Sequence, residues 1–108
     1  MKFFAYLLLA LSLFGGVATP SAMAGATDPL FVNLTTDDPH RANMGITFGG
    51  NQHDRGHPLT IFLNDKGVLI GSTANAEKFG AHQKALAELM KKGAVVLICP
   101  MCMKHYGV

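Results

Sequence analysis

Along the chain, continuous apolar runs alternate with stretches whose apolar residues recur at helical spacing. Leu30-Phe31-Val32-Asn33-Leu34 reads as a strand. The polar Thr35-Thr36-Asp37-Asp38-Pro39 follows, with Asp38 suited to cap a helix and Pro39 to occupy its first turn. The spacing then predicts a helix over roughly 39–54, turning Ala42, Met44, Gly45 and Phe48 to one side. Gly45, Gly49 and Gly50 should weaken it, by about 1 kcal/mol each relative to alanine. Gly56 ends this helix, and His57-Pro58-Leu59-Thr60-Ile61-Phe62-Leu63 reads as a second strand, with Pro58 confined to its first residues because proline donates nothing to a ladder. Asn64-Asp65-Lys66-Gly67 is a turn and Val68-Leu69-Ile70 a short extended piece. A second helix is marked by Phe79, Leu86, Leu89 and Met90 on one face, by Glu88 and Lys92 at i,i+4, and by a Lys91-Lys92-Gly93 stop. Ala94 to Ile98 is a fully apolar last strand.

Strand, helix, strand, helix, strand is the rhythm of an α/β fold with a small parallel sheet and helices on both faces. Reactive groups in such sheets collect beyond the carboxyl ends of the strands. Two loops qualify: Thr35 to Pro39 after the first strand, and Cys99 to Cys102 after the last.

The N-terminus alters this picture. Lys2 precedes an apolar run from Phe3 to Phe14 broken only by Ser12; Gly15-Gly16 and Pro20 follow, then Ala22-Met23-Ala24. This is the pattern of a secretory signal over 1–24, cut after Ala24, and it places the mature protein in the periplasm or outside the cell. The run falls short of the roughly 20 residues that span a bilayer, so no stable membrane span is expected after cleavage. Residues 25–29 are a short lead-in and 30–108 a single domain. Nine Lys/Arg against seven Asp/Glu give a formal charge of +2, too slight for an electrostatic nucleic-acid binder. A core this small invites an oligomer.

The candidate chemistry lies in Cys99-Pro100-Met101-Cys102, where a strand ends and a helix begins. Spacing of i,i+3 brings two sulfurs within bonding reach. Amides at the start of the helix favour a thiolate, and Lys104 and His105 stand close in sequence. A bridge closing so small a loop constrains the unfolded chain little, which argues for reactive thiols over structural cement. Haem attachment fails because Met103 stands where a histidine is needed. Cys99, Met101, Cys102, Met103 and His105 are soft groups suited to Cu(I), yet only two are thiolates, so no metal site is assigned. His40, His53, His57 and His82 read as solvated surface residues. Asp37 and Asp38 are a candidate acid/base pair, although capping explains Asp38 more simply. No phosphate-binding glycine loop or nucleophile elbow is present, and no cofactor is expected.

Leu30 to Pro39, the Lys-Ala-Leu-Ala-Glu-Leu segment at 84–89, and Val95-Val96-Leu97-Ile98-Cys99-Pro100-Met101-Cys102-Met103-Lys104 together resemble the DsrE/DsrF-like family over about residues 30–108. The closing C-x-M-x-M pattern with Gly107 downstream is similar to the cysteine loop of the DsrE2-type branch. The resemblance implies a three-layer sandwich and a sulfur relay, in which the position of Cys99 carries sulfane sulfur as a persulfide and passes it to a partner thiol. It implies sulfur donor and acceptor proteins, or small thiols and polysulfides, as partners, and a homo-oligomer. Cys102 is then the resolving thiol. Family members usually continue past this loop, so the expectation is a version shortened at its C-terminus or one whose last strand a partner covers. An oxidising compartment raises a second reading, a thiol–disulfide oxidoreductase using the same pair; a Cu(I)-binding module is a third.

Overall fold

A computed structural model describes Gly16 and residues 20–108. The expected signal segment therefore lies largely outside the described residues. Three strands, β1 (Leu30–Leu34), β2 (Leu59–Leu63) and β3 (Val95–Ile98), form one parallel sheet in the order β1-β2-β3. Leu30 sits opposite Leu59 and Leu34 opposite Leu63, while Thr60 pairs with Val95 and Leu63 with Ile98. Helix α1 (Pro39–Asp54) links the first two strands, α2 (Ala76–Lys91) leads into the third, and α3 (Pro100–Tyr106) follows it. This is the α/β class that the alternation of patterns predicted. Among the described residues, no helix is long and apolar enough to cross a membrane.

Leu34, Leu59, Ile61 and Leu63 are buried beneath α1 and α2, whose Ala42, Ile46, Phe79, Leu86 and Leu89 join them in the core together with Ile70 and Ala94. The opposite sheet face carries Phe31, Phe62, Val95 and Leu97. Of these, Phe31, Val95 and Leu97 are about half exposed, and the Phe31 and Phe62 rings lie 6.2 Å apart.

Helix α1 buries Ala42 and seats Gly45 against the sheet as expected, but not Met44 or Phe48. Its inward residues are Ala42, Ile46 and Gly49, whereas Met44 is 58% and Phe48 55% exposed. The cause is close approach. A Cβ on Gly45 would sit 3.2 Å from a Leu34 methyl, and one on Gly49 3.1 Å from a Leu59 methyl. The glycines thus form the contact face, and the loss of helix propensity is offset by the tight fit that their missing side chains allow.

Four smaller readings also change. β2 begins at Leu59, leaving His57 and Pro58 outside it, and the Pro58 carbonyl accepts from Leu30 N–H at 2.8 Å. Val68-Leu69-Ile70 is not extended. Asp65–Leu69 is a 3₁₀ turn, and a second covers Thr73–Asn75. β2 already has a neighbour on each side, so no ladder is open next to it for that segment. Glu88 pairs with Lys91 at 3.2 Å, and Lys92 with Asp54 at 3.5 Å, in place of a Glu88–Lys92 pair. Met90 is exposed at the rim of the α2 face.

Candidate functional site

All three strands end on one side of the molecule, and there the last of them delivers the cysteines. Cys99 continues the ladder by donating its N–H to the Leu63 carbonyl at 2.9 Å, so the sheet itself fixes its backbone. Cys99 stays extended and serves as N-cap of α3, while Pro100 opens the helix where no amide hydrogen is needed. Met103 N–H closes the first turn onto the Cys99 carbonyl at 3.0 Å. Gly107, at φ +70°, ends the helix, as the left-handed conformation at that position favours glycine.

Both cysteines are free thiols and half-buried. Cys102 Sγ donates to Cys99 Sγ at 2.6 Å, and the Cys102 N–H donates to the same Cys99 sulfur at 3.3 Å. The donated thiol hydrogen, helped by the Cys102 and Met101 amides, holds the Cys99 thiol below the usual cysteine range. The same contact pushes Cys102 up, and burial adds to it. The pair is polarised: the Cys99 thiol is held lower and the Cys102 thiol higher than a free cysteine. Lys104 and His105 are exposed and make no hydrogen bond to either sulfur.

Two residues that the sequence did not single out meet this pair. Asp65 N–H donates to Cys102 Sγ at 3.2 Å, and Tyr106 Oη donates to Asp65 Oδ1 at 2.5 Å. The carboxylate raises the Tyr106 phenol, and Asp37 acts in the same direction as a further negative charge. Asn64, Asp65, Met101, Cys102, His105 and Tyr106 line an open cavity of about 280 Å³, which Cys102 borders and Cys99 does not. Asn64 also hydrogen-bonds Asn33 across the strand ends. The only local hint in the sequence was the Asn-Asp-Lys-Gly composition of a turn.

The first loop contributes less. Asp38 Oδ1 accepts the Arg41 N–H at 2.8 Å, and this amide holds its carboxyl below the usual range. Asp38 is thus occupied in capping α1. His40 is exposed, as expected. Three other histidines are half-buried fasteners and not solvated surface groups. His53 reaches the carbonyls of Lys92 at 3.1 Å and His57 at 3.2 Å, His57 reaches the Asp28 carbonyl at 2.8 Å, and His82 reaches that of Pro39 at 2.8 Å. Each ring bonds main chain distant from its own turn, which hydropathy does not register. Among the described residues, no group of three or more His, Cys, Asp or Glu gathers as a metal-binding set.

The family model for the DsrE/DsrF-like family matches residues 30–108, a span that takes in every strand and helix of the described residues and both cysteines. No curated protein and no solved structure matched the chain.

Proposed function

Because the chain belongs to the DsrE/DsrF-like family, whose membership implies a role in sulfur relay, we propose that it is an exported sulfur carrier of the DsrE2 type with Cys99 as persulfide acceptor. The observation that carries this reading is the polarised pair: Cys99 Sγ takes hydrogen bonds from the Cys102 thiol at 2.6 Å and the Cys102 amide at 3.3 Å. A thiolate is the attacking form in sulfur exchange. In the loading step the Cys99 thiolate attacks the outer sulfur of a persulfide or polysulfide donor. A new S–S bond forms at Cys99, the donor's S–S bond breaks, and the leaving thiolate takes up a proton. Unloading has two routes. The thiolate of an acceptor protein removes the outer sulfur and regenerates Cys99, or Cys102 attacks the inner sulfur, forming a Cys99–Cys102 disulfide and releasing hydrosulfide. The second route requires a partner dithiol to reset the pair. Donor and acceptor proteins, a homo-oligomeric state and a periplasmic or secreted location are parts of the same proposal. The location is supported by the apolar run and Ala22-Met23-Ala24 at the N-terminus.

Intact-mass measurement after incubation with inorganic polysulfide tests the reading. One added sulfur atom is expected on Cys102→Ser, either that adduct or the Cys99–Cys102 disulfide on the wild type, and neither on Cys99→Ser. An unmodified wild type, or an adduct that survives in Cys99→Ser, overturns it. The 2.6 Å separation of the sulfurs also favours a second reading, thiol–disulfide exchange, because little movement separates them from the roughly 2.05 Å of a bond. Disulfide-exchange activity in the wild type that Cys102→Ser abolishes, without any sulfur adduct, selects it.

A further inference from the structure

We propose that Asp65, clasped by Tyr106, is a positioning residue of the sulfur site: it orients Cys102 as the thiol that gives its hydrogen to Cys99, and so decides which sulfur carries the charge. The inference rests on the carrier reading for its purpose, although its geometry stands apart from it.

Asp65 opens the 3₁₀ turn immediately after β2 and has φ +48°, the one described non-glycine residue in the left-handed region. Aspartate is among the few residues that visit this region readily. The turn is pinned on its other side. Asn64 N–H donates to the Leu34 carbonyl at 3.1 Å, and Gly67 N–H to the Asn64 carbonyl at 2.9 Å. Gly67 itself lies so close to the Leu34 carbonyl oxygen that no side chain fits between them. With the turn held against the end of β1, the Asp65 N–H is fixed in direction and meets Cys102 Sγ at 3.2 Å.

The second attachment comes from the other end of α3. Cys102 and Tyr106 are four residues apart and share one face of that helix. Asp65 meets both, the first through its main chain and the second through its carboxylate. A thiol has one hydrogen and weak acceptor capacity. With Asp65 N–H on the acceptor side of Cys102, its single hydrogen is left for Cys99 Sγ at 2.6 Å. Taken alone, the Asp65 amide favours charge on Cys102; the Cys99 sulfur, burial and the Asp65 carboxylate act against it and prevail. The main chain thus sets the orientation, while the Cys99 sulfur and burial hold the proton on Cys102 and the carboxylate adds to them. Asp65 also walls the cavity beside Cys102, so the residue that orients the pair also borders the approach to it.

The pH dependence of Cys99 alkylation by iodoacetamide, followed on the Cys99 peptide, tests the assignment. Tyr106→Phe removes the clasp. Asp65→Gly keeps the backbone conformation without strain and removes both carboxylate and clasp. Each is expected to move the half-reactivity point upward and to slow Cys99 alkylation near neutral pH about three- to tenfold, as a shift of up to one unit requires. Asp65→Asn retains an oxygen for Tyr106 and is expected to fall between Asp65→Gly and the wild type. Tyr106→Phe and Asp65→Gly proteins that melt as the wild type does but leave the profile unmoved overturn the proposal. Should Asp65→Gly fail to fold, Tyr106→Phe decides alone. Alkylation needs no sulfur donor, so the two readings fail separately: an unmoved profile with the polysulfide adduct intact removes the positioning role only, and a moved profile without an adduct removes the carrier only.

Discussion

At Gly67 a hydrogen stands where any other residue would place a carbon, and the turn after β2 depends on it. The obstacle to a side chain there is the main-chain oxygen of Leu34 at the end of β1, which has no flexible tip to move aside. Gly67→Ala is therefore expected to cost about 3 kcal/mol, the upper range for overpacking, read as a lower urea midpoint. It should also loosen the Asp65 contact to Cys102 and raise the pH at which Cys99 alkylates. An unchanged midpoint would show that the turn can slide along β1. At this scale the sequence is informative about where the sulfurs sit, since two cysteines at i,i+3 with a proline between them, directly after an apolar run, mark a strand-to-helix junction locally. It is silent about Asp65 and Tyr106, whose contacts to Cys102 and to each other span separations of 37 and 41 residues. Neither residue stands in an unusual local pattern.

Among the elements, α1 shows both what a local pattern reveals and what it hides. Its start is legible because capping is a local event: Asp38 accepts the Arg41 amide and Pro39 follows. Folding lowers the Asp38 carboxyl below its ordinary 3.8, so the unfolded chain binds the proton more readily than the folded one. The cap's contribution is then complete above the ordinary value and is lost as pH falls through the lower, folded one. Asp38→Asn keeps an acceptor oxygen and removes the titration. The expected outcome is a smaller drop in urea midpoint for the variant than for the wild type between about pH 6 and about pH 2; equal drops would dissociate the cap from acid sensitivity. The buried stripe of α1 was partly hidden because hydropathy favours Met44 and Phe48, while the sheet selects whatever lets two backbones approach. Val68-Leu69-Ile70 misleads for a related reason. Val68 and Ile70 are fully buried, as apolar residues of a strand would be, but they are carried inward by a turn.

For the molecule as a whole, the α/β class was legible because three apolar runs separated by two helices leave few ways to build a parallel sheet. The placement of the site followed, since the loop after the last strand emerges at the carboxyl edge. The unequal treatment of the two sheet faces was not legible: β3 is apolar at every position, yet Val95 and Leu97 lie on the exposed face and Val96 and Ile98 toward the helices. Strand order carries one more consequence. Among the described residues, β2 alone has a hydrogen-bonded neighbour on both sides, whereas β1 and β3 each have one. Deuterium entering from solvent should therefore reach the amides of Thr60 to Phe62 last, after those of the two flanking strands have exchanged. Faster labelling in the middle strand than at the edges would mean that the sheet opens from its centre.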